Sequence, residues 1–179
     1  EALFLNTANR NYELIPIFKD YKFVIIDSNT QRILSDSNFN QKKELCYSAA
    51  KNMNVENLCV KSKIDEHDIQ SLSDDELSVS KHVIEENIRV VKAAQFLKSN
   101  GAEEFGKLMT ESHMSLSKYY KVSTLELDKL VDLANSFGAL GSKLTGAGFG
   151  GAIVTLVKKE LVEELKKYIL DNYPNAKFI

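Results

Sequence analysis

Thr145-Gly146-Ala147-Gly148-Phe149-Gly150-Gly151 runs directly into Ala152-Ile153-Val154-Thr155-Leu156-Val157. Five of the eight glycines fall within Gly141–Gly151. Gly146, Gly148 and Gly151 satisfy the spacing of a dinucleotide-binding fingerprint, but that fingerprint must leave a strand and open a helix. Here an apolar, β-branched run follows, so the segment reads as strand, glycine loop, strand. No Gly-Lys-Ser/Thr occurs in the cluster, which removes the P-loop reading. Two roles stay open. The glycines can make a tight connection within a sheet, or they can bring a nest of N–H groups up to phosphate oxygens. A plain hairpin needs one or two glycines, and this loop has four around a Phe.

On either side of the loop, Ser142–Thr145 and Ala152–Val157 read as strands. Downstream, Leu161, Val162, Leu165, Tyr168 and Ile169 recur on one helical face. Pro174 ends that helix, and Ala176–Ile179 looks like a further strand. Upstream lie three helices. Val83, Ile84, Ile88, Val91, Ala94 and Leu97 mark the first, stopped by Asn100-Gly101; Phe105, Leu108, Met109, Ser112 and Leu116 mark the second. Ser123-Thr124-Leu125-Glu126 has the form of a capping box and opens the third, with Leu127, Leu130, Val131 and Ala134 inward. An earlier helix carries Leu45, Cys46, Ala49, Ala50 and Met53. Residues 1–34 read as β, with turn chemistry over Asn6–Asn11 and a compact strand over Tyr21–Asp27. Strands and helices mix without βαβ alternation. The fold class is therefore α+β, an antiparallel sheet covered by helices. There is no internal repeat and no long linker.

The 179 residues are 44% hydrophobic and 27% charged, enough for one domain with a real core. Twenty Lys and three Arg against 25 acidic residues give a net charge of −2, without the basic surplus of a nucleic-acid binder. No run of 18 apolar residues occurs, so no membrane helix is expected. The acidic stretch Asp65–Ser80, with Asp65, Glu66, His67, Asp68, Asp74, Asp75 and Glu76, reads as a solvated loop and short helix. It lacks the Gly-centred ligand spacing of a calcium loop. Cys46 and Cys59 fit no CxxC pattern and read as reduced thiols of a cytoplasmic protein.

Ser142-Lys143-Leu144-Thr145-Gly146-Ala147-Gly148-Phe149-Gly150-Gly151 resembles the third, C-terminal motif of the GHMP small-molecule kinases, and Phe149 between glycines is its galactokinase form. Other blocks stand in order. Ser37-Asn38-Phe39-Asn40, with Lys42, Lys43, Glu44 and Cys46, resembles the galactokinase Ser-Glu-Tyr-Asn segment. His82 to Arg89 resembles the family's His-containing helix. Leu108 to His113 and Val122 to Asp128 resemble the next two blocks. The resemblance covers nearly the whole chain.

It implies a ferredoxin-like GHMP kinase C-terminal domain over residues 1–179. The sugar-binding motif, serine-rich phosphate loop and catalytic aspartate of the family's N-terminal domain are not found here, and Glu1 aligns just beyond the aspartate. The implied parent is a sugar 1-kinase that uses ATP and Mg²⁺, with its own N-terminal domain as partner. This chain alone is expected to be inactive, holding neither a catalytic residue nor a metal ligand. Phe39 is expected at the sugar, where galactokinases usually place Tyr, and related amino-sugar kinases carry Phe there. Thr145, Gly146, Ala147, Gly148, Phe149, Gly150 and Gly151 are expected on the phosphate side, so that Val at Gly148 or Gly150 harms activity more than folding. His82, Glu86, Glu111 and His113 are expected to be structural, and Asn87 to bond a neighbouring backbone. A galactokinase-like sugar sensor and another GHMP kinase, such as one for mevalonate, are the alternatives. The Gly-Phe-Gly-Gly form and the Phe39 block speak against the latter.

Overall fold

The computed structural model describes the backbone of residues 1–30 and 36–179, and the side chains of residues 1–30 and 40–179. Strands β1 (Ala2–Leu5) and β2 (Tyr12–Ile15) form a separate two-stranded antiparallel sheet. Strand β3 (Tyr21–Asp27) belongs to the main sheet. Helices α1 (Asp36–Asn52), α2 (Glu66–Ser71), α3 (Asp74–Lys98), α4 (Ala102–Ser115) and α5 (Leu125–Phe137) follow. Strands β4 (Gly141–Thr145) and β5 (Ala152–Lys158), helix α6 (Val162–Asn172) and strand β6 (Lys177–Phe178) complete the chain. The main sheet has the order β4-β5-β3-β6, and every neighbouring pair is antiparallel.

Both faces of that sheet are covered, which is why β5 reads as a nearly continuous apolar run. Val24, Ile26, Leu144, Ile153 and Val157 meet Leu127, Leu130, Val131 and Ala134 of α5 and Leu165 and Ile169 of α6. On the other face Phe23, Val154 and Leu156 meet Ala102, Phe105 and Met109 of α4. Edge-to-face contacts of Phe105 with Phe18 and Phe23, at centroid distances of 5.5 and 5.9 Å, close this layer. A third cluster joins Ala49, Ala50 and Met53 of α1 to Leu58 and Ile84.

Strand β4 is an edge of the sheet, and α4 runs along it. The amide of Ser142 donates to Thr110 Oγ1 and that of Leu144 to His113 Nδ1, both at distances of 3.3–3.4 Å. Alternate strand amides are thereby matched to helix residues three apart, so an edge that would otherwise invite foreign pairing is satisfied. The approach needs bare backbone. A Cβ on Gly141 would lie 1.8 Å from the Gly106 carbonyl oxygen, and one on Gly106 would lie 2.4 Å from that of Leu140.

Three readings of the sequence need correction. The acidic stretch is not simply solvated. Asp65 with Asp68, and Ser73 with Glu76, form reciprocal capping boxes at the starts of α2 and α3. Asp68 and Glu76 are 2% and 7% exposed. Glu76 also accepts from Ser48 and Asn52, fastening α1 to α3. Helix α3 accordingly begins at Asp74, a full two turns before its apolar stripe. The capping box at Ser123–Glu126 does not form, and the cap shifts by one residue. Thr124 is the N-cap of α5, because the Ser123 hydroxyl donates to Asp128 instead. Val91 is exposed, because α3 divides its contacts between α1 and α4 and no single stripe serves both.

The glycine contact yields a test with a definite sign. Gly106→Ala places a better helix former in α4, a gain of about 1 kcal/mol if the helix alone mattered. Overpacking against the Leu140 backbone should outweigh that gain, at about 1–3 kcal/mol. Urea unfolding should therefore show a lower midpoint, and a raised midpoint would show that the helix and strand do not meet in this way.

Candidate functional site

The glycine loop joins two paired strands, with Thr145 opposite Ala152. Gly146, Gly148, Phe149, Gly150 and Gly151 all have positive φ, at 84°, 81°, 57°, 109° and 87°. Glycine tolerates that conformation and Phe does not, so something must hold Phe149 in place. Its N–H donates to the Val122 carbonyl at 2.7 Å, and its ring packs on the main core. Val122 is itself set by a π-turn over Leu116–Tyr120, by left-handed Lys121 and by its own N–H on the Leu116 carbonyl. At the far end, the Gly151 carbonyl accepts from the Ser28 amide at 2.9 Å and the Ser28 hydroxyl at 2.7 Å.

These fastenings divide the loop. Gly148, Gly150 and Gly151 are buried, while Gly146 and Ala147 are exposed. A Cβ on Gly148 would sit 2.2 Å from the Val122 carbonyl oxygen. A Val at Gly148 would therefore meet the Val122 backbone before any ligand. That glycine is required by the chain's own packing. The tip at Gly146-Ala147 is what remains open to a ligand.

Beside β4 lies a polar cluster that the sequence reading did not assemble. Lys143 Nζ reaches Glu86 Oε1 at 3.2 Å and Ser112 Oγ at 2.6 Å, and Ser112 donates to Glu86. Arg89 Nε donates to the other Glu86 oxygen at 2.8 Å. Burial alone would raise the Glu86 carboxyl, but Lys143, Ser112 and Arg89 together hold it at about 2. A cavity of about 260 Å³ adjoins this cluster, with apolar walls that include Phe4, Ile15, Leu97 and Met109. The available sequence signal was Lys143, a cation on the strand that leads into the glycine loop.

The histidines act as fasteners. His113 Nδ1 accepts the Leu144 amide, so the proton sits on Nε2, which donates to Asp128 at 3.1 Å. Burial lowers the His113 pKa against the pull of Asp128, so this contact joins a neutral imidazole to a carboxylate. Asp128 also accepts from Ser117 and Ser123, tying the end of α4 to the start of α5. His82 Nδ1 meets Ser115 Oγ at 2.9 Å, and burial lowers its pKa to about 4. Asn87 donates to the Cys59 carbonyl at 3.3 Å, as its position suggested. Asp65, His67 and Asp68 bring ligand atoms within 4.8 Å of one another, but Lys61 already pairs with both aspartates. The side chain of Phe39 lies outside the described residues.

Residues 93–175 match the family model described as GHMP kinases C terminal. The galactokinase of Clostridium acetobutylicum is 40% identical over 180 residues, covering 96% of this chain and 46% of that protein. The galactokinase of Thermotoga petrophila is 34% identical over 174 residues, covering 96% and 49%. The chain thus spans about half the length of these relatives. Lactococcus lactis galactokinase, solved with galactose, superposes with a TM-score of 0.87 at 28% identity, over 99% of this chain and 49% of that one. Mevalonate kinase of L. major shares the fold at a TM-score of 0.60 and 19% identity, over 94% and 43%. Residues 93–175 thus carry a GHMP kinase C-terminal domain. Over nearly its whole length the chain is similar in sequence and fold to the C-terminal region of galactokinases.

The buried imidazoles predict a pH dependence. The unfolded-state pKa of His is about 6.5, and both folded-state values lie below it. The stability they confer is full above about pH 6.5 and is lost on acidification, for His82 as pH falls toward 4. For His82 the loss amounts to roughly 3 kcal/mol. Urea midpoints should fall across this window, and His82→Leu should flatten the profile. An unchanged slope in the variant would show that His82 does not titrate out of a buried neutral state.

Proposed function

We propose that this chain is the C-terminal part of a sugar 1-kinase, which transfers the γ-phosphoryl group of ATP to the anomeric hydroxyl of galactose or a related sugar. In this reading residues 1–179 form one wall of the cleft. The N-terminal half of the parent supplies the catalytic aspartate and the serine-rich phosphate loop, so this chain alone turns over nothing. The observation that carries the reading is the fastened glycine loop, with Gly146-Ala147 left open, in a chain so similar to galactokinases.

Phosphoryl transfer depends on positioning and charge stabilisation more than on covalent chemistry. A loop fixed at Val122 and Ser28 can offer backbone dipoles to phosphate oxygens without moving at the moment of transfer. Its donors are N–H groups, which suit phosphate and not a cation. Mg²⁺ would arrive with ATP and spread the charge on its phosphates. Phe39 would meet the sugar. Without a phenolic hydroxyl it forgoes a hydrogen bond worth on the order of 1 kcal/mol, about fivefold in affinity. The resemblance to amino-sugar kinases, which carry Phe there, adds a 2-acetamido sugar to galactose as a candidate substrate. Cys46 and Cys59 are free thiols, in keeping with a cytoplasmic protein. No helix among the described residues is long and apolar enough to cross a membrane.

Two measurements on the full-length parent test the reading. Ala147→Asp puts a negative charge on the exposed tip without backbone strain. It should leave the unfolding free energy from urea titration within about 0.5 kcal/mol, yet cut kcat/KM for ATP. Gly148→Val should do the reverse, lowering the midpoint first. Full turnover in Ala147→Asp would remove the loop from the phosphates, and sugar binding with no turnover in the wild type would favour a sensor. Separately, Phe39→Tyr should raise the ratio of kcat/KM for galactose to that for N-acetylgalactosamine. A fixed ratio would take Phe39 away from the sugar.

A further inference from the structure

The β1–β2 sheet carries apolar side chains on both faces. Its register pairs Ala2 with Ile15 and Phe4 with Glu13 on one face, and Leu3 with Leu14 and Leu5 with Tyr12 on the other. The first face turns toward α3, and Ile15 is only 1% exposed. On the second face Leu3, Leu5, Tyr12 and Leu14 are 60%, 47%, 68% and 53% exposed. Other large exposed apolar residues, such as Tyr47, Ile69, Met114 and Leu170, stand singly on different helices. Here four gather in two directly opposed cross-strand pairs.

Such a face is costly in water. A two-stranded hairpin is marginal by itself, and a contiguous apolar patch marks an interaction surface. The chain spans 46–49% of the galactokinases it matches, and its family model is a C-terminal one. About half of each relative therefore lies outside the matched region. We infer that Leu3, Leu5, Tyr12 and Leu14 form the docking surface for the N-terminal half of the parent protein. This rests on the reading given under Proposed function. Burying two cross-strand pairs there would stiffen the hairpin. Through Ile15 and Phe4 on its other face, it would also join the second half to α3 and the Glu86–Lys143 cluster.

The test is hydroxyl-radical footprinting of the full-length parent, with the urea-unfolded parent as reference and sugar phosphorylation assayed on the same sample. Tyr12 should be strongly protected, at every protein concentration. Oxidation of Tyr12 at the unfolded rate would overturn the inference. Protection that vanishes on dilution would overturn it too, since the occupant would then be a second copy. Protected Tyr12 without sugar phosphorylation would uphold the docking surface and sink the kinase reading, so the two failures are distinguishable. Leu5→Asp and Leu14→Asp should lower the parent's Tm by several degrees, whereas Leu170→Asp on α6 should not. Equal Tm values across the three would likewise overturn it.

Discussion

The arrangement depends on how closely one helix approaches one strand edge. Helix α4 comes near enough to β4 for Thr110 and His113 to accept the outward amides of Ser142 and Leu144. That distance exists only because Gly106 and Gly141 present bare backbone to each other. A side chain at either position would push the helix off the edge. Two strand amides would then lose their partners, each at the desolvation cost of about 1–3 kcal/mol for a buried unsatisfied group. The same approach brings Ser112 up to Lys143, and Lys143 up to Glu86 of α3. It also fixes the strand that delivers the glycine loop.

The loop shows that one motif can hold glycines with different jobs. Gly148 is bare because the Val122 carbonyl lies where a Cβ would be. Gly150 and Gly151 are buried and left-handed, and they return the chain into β5. Phe149 pays for its positive φ with a backbone hydrogen bond and a ring seated in the core. A spacing pattern records only that side chains are excluded, and does not say whether protein or ligand excludes them. Coordinates separate the cases, and they leave the exposed tip as the part free to meet something else.

Much of the fold was legible because it is written locally. Tyr21–Asp27 and Ala152–Val157 are short apolar runs between turn signals, and both are strands. The stripe Leu127, Leu130, Val131, Ala134 marks the buried face of α5. What escaped was non-local. The start of α3 hid inside an acidic stretch, because Ser73 and Glu76 look like surface residues until they cap each other. The cap of α5 moved by one residue because Ser123 was claimed by Asp128. The pairing of α4 with the β4 edge joins residues about 30 positions apart, and no periodicity reports it. At the site, the glycine loop stood out by composition. The Glu86–Ser112–Arg89–Lys143 cluster did not, since its members are ordinary surface types spread over three elements.

The polar residues that looked most reactive are already engaged inside the fold. His113 spends one nitrogen on β4 and the other on Asp128, and His82 faces Ser115 against the Tyr120 ring. A general acid or base must exchange protons near working pH. Burial keeps His82 neutral down to about pH 4 and lowers the His113 pKa as well, and Glu86 stays ionised down to about pH 2 between its cations. Groups held so firmly in one protonation state suit alignment more than proton transfer. They keep α3, α4, β4 and α5 in register around the glycine loop. That division of labour suits the proposed reading, since phosphoryl transfer gains from charges and dipoles fixed before the substrate arrives.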